Sequence, residues 1–186
     1  MDTDPRTCAY SLDASDTIVA TGDGWRAFAR ANGAPELENV IGHCVWEYVA
    51  GRTTQELYSV IFHRVRKRQE KLTLPFRCDS PDVFRFMELD IAPGEADSLQ
   101  LVGRLLREQQ RPHFAVLDRL TSRSSSILRM CSVCKRVQLE GIAWMDADKA
   151  VRRLDLFDFS TPPSLEYAVC EDCVRRVREP AETGSA

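Results

Sequence analysis

Four of the seven cysteines fall into two Cys-x-x-Cys pairs, Cys131-Ser-Val-Cys134 and Cys170-Glu-Asp-Cys173, with 35 residues between them. Each pair can fold as a knuckle that turns two sulfurs toward one point, and two pairs supply the four thiolates of a tetrahedral metal site. Soft sulfur donors with no completing histidine favour Zn²⁺ and make iron the poorer occupant. The gap exceeds the roughly 15–20 residues common between such pairs, so a helix or a strand pair must be inserted. Cations follow each pair, Lys135-Arg136 and Arg175-Arg176, and positive neighbours lower a thiol's pKa. The same cations also read as ordinary helix-surface charges, and the two readings are compatible. Cys131, Cys134, Cys170 and Cys173 are thus the candidate ligands, and Cys8, Cys44 and Cys78 remain unassigned thiols.

Other chemistries lack their residues. A dithiol exchange enzyme needs its Cys-x-x-Cys at a helix start within a βαβ unit, and two pairs behind a polar stretch do not fit. There is no Gly-x-x-x-x-Gly-Lys phosphate loop, no His-Glu-x-x-His and no kinase signature, so a non-enzymatic role is expected. Two alternatives stay open. One is a zinc-containing regulator that binds DNA through Arg152, Arg153, Arg175, Arg176 and Arg178, although Asp146, Asp148, Asp155, Asp158, Glu171 and Asp172 dilute that charge. The other is a thiol sensor that releases zinc on oxidation.

The chain has 186 residues, 44% hydrophobic and 28% charged, with a net charge of −3. That is an ordinary globular composition, which excludes a disordered acidic tail or a wholly basic nucleic-acid binder. Filling a four-thiolate site with Zn²⁺ moves the working charge to about −5. The start, MDTDPRTCAY, is acidic where a signal peptide is basic and then apolar. No run approaches the roughly 20 apolar residues that cross a bilayer. A cytoplasmic protein is expected, where reduced thiols and thiolate–metal sites are the rule.

The elements that must position these groups can be read from the periodicity. Thr17, Ile18 and Val19 form a short strand. Asp23 caps a helix carrying Trp25, Phe28 and Ala29, which Asn32-Gly33 ends. Thr53 and Glu56 have capping-box spacing at the start of a longer helix with Leu57, Tyr58, Val60, Ile61, Phe62 and Val65 on one face. His63 lies on the opposite face, and Arg64 to Arg68 form a basic, solvated end suited to the helix dipole. Three strands follow, over Leu72–Cys78, over Val83–Ile91 and through Leu99, Leu101 and Leu105, with turns at Asp79-Ser80-Pro81 and Pro93-Gly94. This is an α+β pattern of helices on one face of an antiparallel sheet. Residues 108–128 turn polar and read as a connector with a short helix near Phe114, Val116, Leu117 and Leu120. Residues 129–179 carry the cysteines, and residues 180–186 read as a frayed end.

Residues 9–107 resemble a PAS domain, the small sensory fold in which a five-stranded antiparallel sheet and its helices enclose a cavity. DTIVATGDGWRAFARANGA looks like the opening strand and helix, and ENVIGHCVWEYV is similar to the next segment, with an Ile-Gly pair before a short apolar helix. The resemblance implies sensing of a signal or a small-molecule ligand in the cavity, a protein partner or self-association as a homodimer, and a place beside kinases or regulators. Flavin-binding relatives carry their reactive cysteine in a Gly-x-Asn-Cys segment. Gly42-His43-Cys44 puts the cysteine one place early and lacks the asparagine. Haem-binding relatives use a histidine facing the pocket from the long helix, and His63 faces away. The tail, with MCSVCKRV, Trp144 and YAVCEDC, resembles a zinc-ribbon-like extension of bacterial signalling proteins. The expected organisation is therefore a PAS-like sensor (9–107), a connector (108–128) and a four-cysteine zinc-ribbon-like domain (129–179).

Overall fold

A computed structural model describes residues 6–31, 33–118, 120–138, 143–147, 149–150 and 161–178. Asp148, Arg152, Arg153, Asp155, Asp158 and the expected frayed end at 180–186 lie outside the described residues.

The front part is built from β1 (Thr7–Leu12), β2 (Ile18–Thr21), α1 (Trp25–Ala31), α2 (Arg52–Arg68), β3 (Leu72–Arg77), β4 (Val83–Pro93) and β5 (Leu99–Gln110). The strands form one antiparallel sheet in the order β2-β1-β5-β4-β3. With its helices on one face, this is the PAS-like α+β arrangement. Periodicity alone yields four strands; the fifth is β1, where Tyr10 and Leu12 sit opposite Leu101 and Leu99 on the core side. Leu57, Ile61, Phe62 and Val65 of α2 are buried in that core with Leu12, Leu89, Ile91, Leu99 and Leu101. Val60, counted in the apolar stripe, is instead 59% exposed.

The capping box at Thr53 does not form. Helix α2 starts one residue earlier, at Arg52, with Gly51 as its N-cap and no side-chain cap, and Glu56 pairs with Arg52. The basic end is only partly solvated. Arg66 pairs with Asp16 and donates to the Asp13 and Asp97 carbonyls, and Arg64 donates to the Val177 carbonyl at 3.0 Å. His63 is exposed, as expected.

The connector expected at 108–128 is largely structured. Strand β5 continues through Gln110, a 3-10 turn covers Ala115–Leu117, and Phe114 and Val116 are buried. Three arginines and three phenylalanines alternate across this junction. Phe114 stacks on Arg111, Arg111 on Phe84, Phe84 on Arg77, Arg77 on Phe86 and Phe86 on Arg107, with guanidinium-to-ring distances of 4.3–5.4 Å. Cation–π contacts are strongest when desolvated, and the Arg111 side chain is only 2% exposed.

Beyond the junction, β6 (Ser124–Cys131), β7 (Val137–Gln138) and β8 (Pro163–Ala168) form a second sheet in the order β7-β6-β8, followed by α3 (Glu171–Arg178). β7 is antiparallel to β6 and β8 is parallel to it. Leu128, Met130, Val137, Phe114 and Val116 form its small core.

Candidate metal centre

The parallel pairing of β6 with β8 assembles the site. It aligns the C-terminal ends of the two strands, with Cys131 opposite Ala168, so chain leaving β6 and chain leaving β8 emerge side by side. The chain after Cys131 turns back through Ser132, Val133, Cys134 and Lys135 into β7. The Lys135 N–H donates to the Cys131 carbonyl at 3.0 Å and the Cys131 N–H to the Arg136 carbonyl at 2.8 Å. Lys135 takes a left-handed φ of 61° to complete this knuckle. The second pair is not a second knuckle, as the spacing suggested. Cys170 precedes α3 and Cys173 lies in its first turn, and the Cys173 and Val174 N–H groups donate to the Cys170 carbonyl.

The four sulfurs converge. All lie within 4.8 Å of one another, with Cys131 to Cys173 at 3.8 Å and Cys134 to Cys170 at 3.6 Å. A tetrahedral ion with metal–sulfur bonds of about 2.3 Å requires sulfur separations of about 3.8 Å, so the donor set and its spacing fit a metal. The separations far exceed a disulfide's length of about 2.05 Å. Among the described residues this is the one cluster of three or more potential ligands. Cys131, Cys170 and Cys173 are buried, Cys134 is half-buried, and Val133, Trp144 and Val169 pack around them.

Cys131, Cys134 and Cys173 are coupled. Hydrogen bonds from the Cys134 and Cys173 thiols hold Cys131 far below the usual thiol range, while those same bonds raise Cys134 and Cys173. A cation entering the cluster would displace the protons held on Cys134 and Cys173. Tyr58 of α2 stands beside the cluster: burial, and then the charges of Cys131 and Cys173, push its hydroxyl up to about 12.

The expected cations divide between the two readings. Arg136 is held first by its hydrogen bond to Asp172, and Cys134 and Cys170 add to its stabilisation. Arg175 also pairs with Asp172. Lys135 is pulled the other way. Its ammonium donates to the Ser132 carbonyl at 3.1 Å and lies over the Tyr167 ring, and burial pushes its pKa down.

The unassigned thiols sit elsewhere. Cys44 and Glu47 cap the 3-10 turn Val45–Glu47. Cys8 packs on Gly103, and burial, then Cys78, raises it to about 11. Burial also raises Cys78. His43 pairs with Glu47 and His113 with Asp82.

The spacing of the cysteines does not reveal how their cluster is seated on the core of the five-stranded sheet. Val133, Val169 and Val177 pack against the same core as Leu57, Ile61 and Val65. The Arg77 N–H at the end of β3 donates to the Val133 carbonyl at 2.8 Å. Thr54 of α2, 4% exposed, donates to the Ser132 hydroxyl at 2.8 Å. At Gly51 the backbone of Tyr167 comes so close that a Cβ would lie 3.0 Å from its carbonyl carbon and 3.1 Å from its Cβ. One signal was available: Cys173 and Val177 are four residues apart, the spacing of one helical face.

No family model matches the chain, and no curated protein matches it. Solved structures similar to part of it include a domain of an HTR-like protein from Haloarcula marismortui ATCC 43049. That domain is 14% identical with a TM-score of 0.39, over 55% of this chain and 99% of that one. Another is the photoactive yellow protein domain of the sensor histidine kinase Ppr from Rhodospirillum centenum, 21% identical with a TM-score of 0.38, over 53% of this chain and 84% of that one. Among the described residues, no helix is long and apolar enough to cross a membrane.

Proposed function

We propose that the chain is a non-enzymatic signalling protein of the cytoplasm, in which a PAS-like sensor domain and a structural Zn²⁺ centre held by Cys131, Cys134, Cys170 and Cys173 act as one cooperative unit. The single observation that carries this reading is the placement of Val133 and Val177, which flank the ligands in sequence and pack in the sensor core. A tail merely tethered to the sensor would bury these side chains in its own core. Because a metal that organises its site also supplies folding energy, occupancy is felt in the contacts of α2 and β3, the elements that receive the tail. A small molecule entering the sensor core, or a protein partner or second copy docking on it, acts on the same unit.

Zinc is favoured by four soft donors at tetrahedral spacing. Of the arginines in the DNA-binding alternative, Arg175 is paired with Asp172, and Arg152 and Arg153 lie outside the described residues. Native mass spectrometry of the full chain tests the metal, with one Zn²⁺ per chain expected. Amide exchange with and without a chelator tests the coupling. Protection should fall at Arg77 and along α2 as well as in the tail. Loss confined to residues beyond β5 would overturn the reading.

A further inference from the structure

Three of the four thiols are sealed, with Cys131, Cys170 and Cys173 at 0%, 1% and 3% exposure, and Val133, Trp144 and Val169 close over them. Cys134, at the knuckle's turn, is half-buried. A reagent in solution therefore meets this centre at one sulfur. That sulfur has a neighbour poised to react with it, Cys170 at 3.6 Å, contributed by the start of α3 and not by the knuckle itself.

We propose that Cys134 is the position at which a hydroperoxide oxidises the centre, and that Cys170 closes the resulting disulfide across the two Cys-x-x-Cys pairs; this rests on the metal centre assigned above. In the first step the metal-bound Cys134 thiolate attacks the distal peroxide oxygen. The S–O bond forms, the O–O bond breaks, and the alkoxide or hydroxide leaving group takes a proton from water. A sulfenate would be a poor ligand, so a bound Zn²⁺ would be released with no change of oxidation state. The freed Cys170 thiolate then attacks the Cys134 sulfur; the S–S bond forms, the S–O bond breaks, and the oxygen departs with protons as water. Two thiolates lose two electrons in all, and the peroxide gains them to give an alcohol or water, plus water.

The cross-pair linkage has a mechanical consequence. Bringing the sulfurs from 3.6 Å to about 2.05 Å draws the knuckle toward α3. Val133 precedes Cys134, and its carbonyl holds the Arg77 N–H of β3, so the closure pulls on the sensor sheet at that hydrogen bond. A linkage within one Cys-x-x-Cys would leave the knuckle and helix free of each other instead. Competing thiols are disfavoured: burial raises Cys8 to about 11 and also raises Cys78, so little thiolate is present at neutral pH. Half-buried Cys44 is the internal comparison.

The test uses the full-length protein as purified. Zinc content is measured first, which decides the metal centre independently of the oxidation products. Hydrogen peroxide is then titrated, free thiols are alkylated, linkages are mapped by mass spectrometry, and released zinc is read with a chromogenic chelator. The expected result is Cys134–Cys170 as the first disulfide, with one Zn²⁺ released per linkage formed. A first linkage within either Cys-x-x-Cys pair, oxidation of Cys44 ahead of Cys134, or any other first product overturns the proposal. Absence of zinc at the outset overturns the metal reading, and the mapped linkage still decides the order of oxidation.

Discussion

Gly51→Ala isolates the contact between the five-stranded sheet's helix α2 and the cysteine-bearing sheet. Gly51 has a φ of +87°, so any side chain there incurs backbone strain of about 1–3 kcal/mol. A Cβ at this position would also overlap the Tyr167 carbonyl group and lie 3.1 Å from the Tyr167 Cβ. Relieving that overlap moves β8 away from the start of α2 by several tenths of an ångström or more, an overpacking cost of about 1–3 kcal/mol. Gly42 provides the control. Its φ is +89° and nothing lies within 4 Å of the corresponding Cβ, so Gly42→Ala carries the strain without the collision. A domain of this size loses about 2–4 °C of Tm per kcal/mol, so G51A is expected to melt about 6 °C below G42A in the metal-loaded protein. Calorimetry of both variants side by side gives the difference. With the metal chelated the two should converge, because β8 is no longer held against Gly51. Equal Tm values for the two metal-loaded variants would refute the docking argument outright.

Phe84→Leu keeps most of the buried volume and removes the contacts with Arg77 and Arg111 at 4.7 and 4.3 Å; urea denaturation should show a loss of about 1–2 kcal/mol. Val177→Ala removes a core side chain contributed by α3 and is expected to cost about 1–2 kcal/mol, with amide protection falling on α2. Burial raises the Asp90 pKa, but hydrogen bonds from Thr73, Arg104 and Lys71 outweigh it and hold the carboxyl below its usual value. A lowered folded-state pKa gives stability that is present above the unfolded value of about 3.9 and is lost as pH falls through the folded value. Melting of the wild type between pH 5 and pH 3, set as an order-of-magnitude window around that value, should therefore show an acid-side loss that Asp90→Asn lacks. Metal uptake by the stripped protein must expel the protons held on Cys134 and Cys173, so an indicator in weak buffer should report acidification on adding Zn²⁺.

The cysteine quartet was legible because its signal is local: each pair holds its own spacing, and only one partner pair exists. The α2 core face was legible for the same reason, since Leu57, Ile61, Phe62 and Val65 repeat at helical period. β1 was not, because Cys8 and Ala9 are small and Ser11 is neutral to strand signals. Its identity as a strand comes from pairing with β5, some 90 residues away. The helix start at Gly51 escaped because the Thr53–Glu56 spacing offered a cap that the chain does not use. At that start Gly51 lies against the backbone of Tyr167, far along the sequence. The polar stretch near 108–128 concealed Phe114, Val116 and Arg111 for a related reason. Arginine reads as solvated, yet Arg111 is buried between two phenyl rings.

Parallel pairing of β6 and β8 makes a metal physically useful here. Parallel strands cannot be joined by a hairpin, so the intervening chain must cross over, and its closure entropy opposes the pairing. An ion bridging Cys131 and Cys173, 42 positions apart, would restrict the unfolded chain as a disulfide does, a stabilisation of about 4 kcal/mol on chain-entropy grounds. Among the described residues, the second sheet's own core gathers around Leu128 and Met130. Two further supports bear on it: an ion at the strand ends would be one, and the core of the five-stranded sheet, against which Val133 and Val177 pack, is the other. Both act through the same short segments, residues 131–134 and 170–177, so neither can be withdrawn without loading the other. Loss of a bound metal would then be transmitted first to Val133 and Val177, and through the Arg77–Val133 hydrogen bond to β3, so that the five-stranded sheet would register occupancy of the centre.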